Sequence, residues 1–177
     1  MTFKFMHINK TAGQSVVKWF ADNNIQIQDY QDVYRTFDNQ SFYFTLVRNP
    51  YDRVASQFFH WRDNLKRIKP EFELDEYVSN LSNSSKWLVG GYHPWYYDRF
   101  NSPCSDWIVG DKIKIFKFEE MDKMINYFMK EFKFKNNFPH INKTKSLKSY
   151  KTFYSEGSIQ IIQEKFKDDF DNFGYKR

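Results

Sequence analysis

TFKFMHI, residues 2–8, is a short run of aromatic and aliphatic side chains that stops at Asn9, and Val16, Val17 and Phe20 then take up helical spacing within residues 14–22. This is strand, loop, helix. The unit recurs at SFYFTLV, residues 41–47, which is nearly continuous in strand formers; Asn49-Pro50 then supplies an N-cap and a first-turn proline for a helix running to about Lys66. Strands alternating with helices predict an α/β fold with a mainly parallel sheet flanked by helices. Such sheets bind ligands beyond the carboxyl ends of their strands. Both loops lie at such ends.

Further along, Leu74, Tyr77, Val78 and Leu81 recur at i, i+3, i+4 and i+7, which predicts a helix over 72–81 ended by residues 82–85. Residues 90–105, with Gly90-Gly91, Pro94 and Pro103, have no clear period and read as a long surface loop, the usual place for acceptor contacts. Residues 107–109 and 112–118 read as strands around a turn at Gly110-Asp111, followed by a helix over about 119–131. Ile159, Ile162, Phe166 and Phe170 mark one final amphipathic helix, with Ser155 as N-cap and Gly174 as stop.

The chain's 177 residues, 41% hydrophobic and 28% charged, suit a single domain, residues 1–177, and argue against disorder. No run approaches the roughly 18 apolar residues of a membrane span, and the first ten residues read as a strand entering a polar loop. The expectation is a soluble, cytoplasmic protein with no cleaved leader and no stable membrane insertion. One cysteine, Cys104, excludes an intramolecular disulfide and a cysteine-built zinc site, and the four scattered histidines without HExxH spacing suggest no other metal site. The formal charge of +5 favours an anionic partner without selecting nucleic acid over a phosphorylated small molecule.

Residues 9–15 join a buried strand to a helix N-terminus, where backbone N–H groups and the helix dipole favour a phosphate. Gly13 lets the backbone approach an anion closely, Lys10 adds a mobile charge, and Thr11 and Ser15 add hydroxyl donors. Lys10 precedes the glycine, so this is not a Walker A sequence, and a turn with an exposed lysine is the plain alternative. In the second loop Arg48 ends a strand and Ser56 lies about two turns into the next helix. At 1.5 Å per residue, residues 50–56 span roughly 9 Å, so both side chains can reach one anion beside that helix. The alternative there is that Arg48 and Arg53 form surface ion pairs with Asp52 and Asp63.

Taken together, HINKTAGQS (residues 7–15) and VRNPYDRVASQF (residues 47–58) resemble the two signatures of PAPS-dependent sulfotransferases. The family's first signature, commonly HIPKTAGTS, grips the 5′-phosphosulfate, and its second, RNPYDRxxS, grips the 3′-phosphate. The resemblance implies that Lys10, Thr11, Ala12, Gly13, Gln14 and Ser15 form the 5′ loop, and that Arg48 and Ser56 hold the 3′-phosphate. It also implies the family's fold, which resembles that of P-loop nucleotide enzymes. WIVGDKIKIFKFEEM, residues 107–121, is similar to the family's strand ending in a phenylalanine-glutamate pair. PHINKT (residues 139–144), Tyr150, Tyr154 and DDFDNFGY (residues 168–175) are similar to the closing segment of carbohydrate sulfotransferases. In that segment Lys143 and Lys145, with Lys148, are implied to cover the 3′-phosphate or adenine side of PAPS.

Asn9 stands where the family commonly has proline and Gln14 where it has threonine. The segment between the first helix and residue 41 has no histidine, although many relatives carry their candidate base there. His93, in Gly91-Tyr92-His93-Pro94-Trp95, resembles a histidine before proline in some glycan-modifying relatives and is the candidate base, the alternative being a satisfied loop histidine. His7, His60 and His140 read as structural, solvent-facing or cofactor-edge residues.

The resemblance thus implies sulfonate transfer from PAPS to a hydroxyl-bearing acceptor, a carbohydrate, with PAP as product, no metal and no nucleic-acid partner. Lys10 would meet charge on the leaving oxygen and His93 would take the acceptor proton. Two other readings remain at this stage. A nucleotide-dependent kinase of related fold lacks its Walker A here, and a basic nucleic-acid-binding module should show steep salt dependence.

Overall fold

Alternation along β1 (Thr2–Met6) puts Phe3 and Phe5 on one face, where both are buried. The computed structural model describes residues 1–31, 37–139, 141 and 153–177. β1 pairs in parallel with β2 (Ile27–Tyr30) on one side and β3 (Ser41–Val47) on the other; β3 pairs in parallel with β4 (Ile113–Lys117). The order is β2-β1-β3-β4. Register Phe3↔Phe42 and Phe5↔Phe44 sets aromatic residues side by side, and the Phe5 and Phe44 rings stack 5.0 Å apart. β3 is buried from Tyr43 to Val47, which explains its nearly unbroken run of strand formers.

Two helices cover the Phe3 and Phe5 face. α1 (Gly13–Asp22) contributes Val16, Trp19 and Phe20, and α5 (Met121–Phe132) contributes Met124 and Phe128. Phe134 and Phe138 extend this cluster, and the Trp19 indole N–H donates to the Asn136 carbonyl at 2.7 Å. Asn23 stops α1: its side-chain amide donates to the Trp19 carbonyl, and its side-chain oxygen accepts the backbone N–H groups of Lys135 and Asn136.

The sheet and these helices belong to one compact body, Met1–Arg48 with Cys104–Lys143; Asn49–Pro103 with Thr144–Arg177 form another. The described part of the second body is helical apart from one antiparallel bridge, Ile68 to Leu88. Its helices are α2 (Pro50–Phe59), α3 (Leu74–Ser79), α4 (Pro94–Phe100), α6 (Glu156–Lys165) and α7 (Lys167–Phe173). Tyr51, Phe58, Tyr77, Trp87, Ile162 and Phe166 are among its buried side chains, and Trp61 stacks on Trp87 at 5.5 Å. No described helix is long and apolar enough to cross a membrane.

The α/β class and the parallel sheet match the sequence expectation, while several boundaries differ. The helix expected to reach Lys66 is α-helical only to Phe59; residues His60–Asn64 widen into a π turn, with the Leu65 N–H on the His60 carbonyl. The expected strand at 107–109 is absent: Ser105–Trp107 form a 3₁₀ turn that buries Trp107. Residues 90–105 are not all loop. Pro94, with its preset φ, opens α4, whose inward residues Tyr97 and Phe100 were hidden in the sequence by exposed Trp95 and Tyr96 beside them. The single closing helix is two, broken at Phe166 (φ −105°, ψ 24°), although Ser155 does cap its start and left-handed Gly174 does end it. β2 had no sequence signal, because IQDY is a short polar edge strand rather than an apolar run.

Candidate functional site

In the order β2-β1-β3-β4 the chain leaves β1 toward one edge and later builds β3 and β4 on the other side. The loops after β1 and β3 therefore flank the point where strand order reverses, the usual ligand crevice of an open parallel sheet. Residues 7–12 and Arg48 occupy that point. The Arg48 guanidinium donates from Nη1 to the Lys10 carbonyl at 3.1 Å, which ties the two loops together.

The first loop owes its shape to two left-handed residues, Lys10 (φ 64°) and Ala12 (φ 69°). For residues with a Cβ this conformation costs roughly 1–2 kcal/mol each. Gly13 lies outside the left-handed region, in the first turn of α1. Ala12 occupies the N-cap of α1 and has no side chain able to cap it; by contrast, Asn49 Oδ1 caps α2 by accepting from the Tyr51 N–H at 3.0 Å. An uncapped helix start directed at a loop suits an anion.

The hydroxyls expected as ligand donors are partly committed. Thr11 is fully buried and donates to the Ile8 carbonyl at 2.6 Å, which makes it a brace of the loop. Ser15 Oγ accepts the Ile141 N–H at 3.1 Å, which ties residue 141 to the start of α1, and its own proton goes to no other described residue. The Lys10 amine has no hydrogen bond or ion pair to another described residue. Burial, with the Arg48 cation second, lowers it to about 8. The plain alternative of an exposed turn lysine does not describe this residue, which is half-buried beside another cation.

Arg48 is half-buried rather than freely exposed. Its guanidinium carbon lies 4.2 Å from the centroid of the Phe118 ring. The parallel register explains the contact: Val47 pairs with Lys117, so the next residue of each strand, Arg48 and Phe118, leave the sheet side by side. In the sequence Phe118 stands out only as part of the stretch 107–121, and the register that sets it beside Arg48 is not visible there. Arg53 is buried; its Nη2 donates to the Ser102 carbonyl and its guanidinium lies over the Phe166 ring, so it holds the helical body together.

Lys10, Thr11, Ala12, Gly13, Gln14, Ser15 and Arg48 are thus brought together in the sheet body. Ser56, buried on α2, and His93, exposed at the N-cap of α4, belong to the helical body. His140, Lys143, Lys145, Lys148 and Tyr150 lie outside the described residues. Comparison of the chain with protein-family models, curated proteins and solved structures returns no match.

Proposed function

We propose that this chain is a PAPS-dependent sulfotransferase that moves a sulfonate to the hydroxyl of a carbohydrate by in-line displacement. The observation that carries the reading is the pairing of two cations at the strand-order reversal. Arg48 holds the Lys10 carbonyl, and its charge helps to depress the Lys10 amine. Like charges gathered beside an uncapped helix start are relieved by a polyanion, and a phosphosulfate with a neighbouring phosphate is such a ligand. The two sequence signatures, which supply these same residues, select this polyanion over a nucleoside triphosphate.

In the reaction the acceptor oxygen bonds to sulfur while the bond from sulfur to the 5′-phosphate oxygen breaks, and the electron pair stays on that oxygen of the departing PAP. Lys10 meets this growing charge. The acceptor proton passes to His93, whose role, like that of Ser56 on the 3′-phosphate and of Lys143 and Lys145 over the nucleotide, rests on resemblance. Fixed cations and backbone N–H groups supply the charge stabilisation that magnesium supplies in kinases.

The decisive substitution is Lys10→Ala, assayed for transfer from PAPS and for PAP binding. Because PAP lacks the sulfonate and no leaving oxygen develops in it, transfer should fall by about 10²–10³-fold while PAP binding weakens less. Unchanged turnover in a folded Lys10→Ala protein removes Lys10 as the leaving-group stabiliser.

A further inference from the structure

His7 stands at the foot of the first loop with its ring held on one face and at Nδ1. In parallel pairing Phe5 faces Asp29 across β1 and β2, and residue 7 returns to the same face as Phe5. The Phe5 and His7 rings stack at 5.4 Å, and His7 Nδ1 lies 3.0 Å from Asp29 Oδ1, an arrangement in which Nδ1–H donates to the carboxylate. The backbone is held too, because the His7 N–H donates to the Tyr30 carbonyl at 2.9 Å. His7 is 8% exposed.

The free edge of that ring faces Gly13. A Cβ on Gly13 would stand 1.8 Å from His7 Nε2 and 2.0 Å from Cδ2, well inside contact distance. Gly13 is helical, and alanine is the better helix former by about 1 kcal/mol, so local conformation gives no reason for glycine here. The histidine does. α1 comes back over the same sheet face that carries Phe3 and Phe5, and it can approach this closely only where residue 13 has no side chain.

We propose that His7, clamped by Asp29, is the positioning residue of the anion loop: its ring sets the height of Gly13 above the sheet and so fixes the left-handed turn at Ala12 that aims the loop. This deepens the sulfotransferase reading and rests on it for the identity of the ligand. His7 acts through Gly13 rather than on the substrate, so the two positions are coupled by size. A methyl at residue 13 is harmful only while the imidazole is present.

The test uses the full chain with Gly13→Ala, His7→Ala and the double variant. PAP affinity is read by calorimetry, and amide hydrogen exchange over residues 11–15 is read without ligand. Gly13→Ala should speed exchange in the loop and weaken PAP by about 10²-fold, the scale of loss from small misplacement in a preorganised site. His7→Ala should weaken PAP by about tenfold, and Gly13→Ala added to it should cost almost nothing more, because contacting residues are non-additive. If Gly13→Ala fails to fold, recovery of folding in the double variant supports the same coupling. Wild-type affinity in Gly13→Ala, or a double variant no better than Gly13→Ala, overturns the proposal. Failure of the wild-type chain to bind PAP, with the exchange pattern as expected, leaves the His7 coupling standing and removes the sulfotransferase reading instead.

Discussion

Lys10 carries a pH signature that follows from its surroundings. Its amine sits at about 8 in the folded chain against 10.5 for the ordinary side chain, lowered by burial and then by Arg48. Between these pH values the unfolded chain binds the extra proton, so stability rises with pH through this interval, and below pH 8 the folded state bears a penalty on the order of 3 kcal/mol. Lys10→Met should flatten that rise in urea midpoints measured from pH 7 to 10. Ligand binding should show the opposite trend: an anion favours the charged amine, so PAP affinity should weaken as pH climbs past about 8. Arg48→Ala should remove discrimination for the 3′-phosphate. Arg48→Lys should not restore it, since an ammonium cannot both donate to the Lys10 carbonyl and stack on Phe118 as the planar guanidinium does. His93 is exposed, so His93→Ala should leave the melting temperature unchanged; turnover should fall by roughly 10²-fold with PAP binding intact. The sequence predicts a loop between the first strand and the first helix, and the structure has it between β1 and α1. Gly13 is expected to let the backbone approach an anion closely; in the structure the left-handed turns fall on Lys10 and Ala12, and the missing Cβ of Gly13 also leaves room for His7. Steric fit between residues six apart on different elements leaves no local pattern.

Among the secondary elements, those with strong periodicity were legible and those shaped by partners were not. β1, β3 and α1 stand where alternation and helical spacing put them, because each buries a continuous apolar face. β2 is visible only through its register with β1, and α4 only through the burial of Tyr97 and Phe100. The closing helix breaks at Phe166 without a glycine or proline to announce it. The aromatic face under α1 and α5 should dominate the stability of the sheet body. Phe128 is fully buried within about 6 Å of Phe3, Phe20, Phe44 and Phe116, and Phe128→Ala should cost about 3–5 kcal/mol in chemical denaturation, with no polar partner lost.

Across the whole chain, both signatures follow strands of one parallel sheet, and the second spans the point where the sheet body ends at Arg48 and the helical body begins at Asn49. A net charge of +5 is compatible with several anionic partners, so charge does not decide among them. The ligand's phosphate pattern does. Thermal unfolding in the presence of PAP, ADP, ATP or a short oligonucleotide separates the possibilities, since a ligand that binds only the folded state stabilises it by about 2.7 kcal/mol at a hundred times its dissociation constant. PAP should raise the melting temperature well above the shift given by ADP or ATP at equal concentration. That advantage should disappear in Arg48→Ala. Equal shifts with PAP and ADP, a larger shift with ATP, or stabilisation by the oligonucleotide alone would contradict the assignment of this loop pair to PAPS.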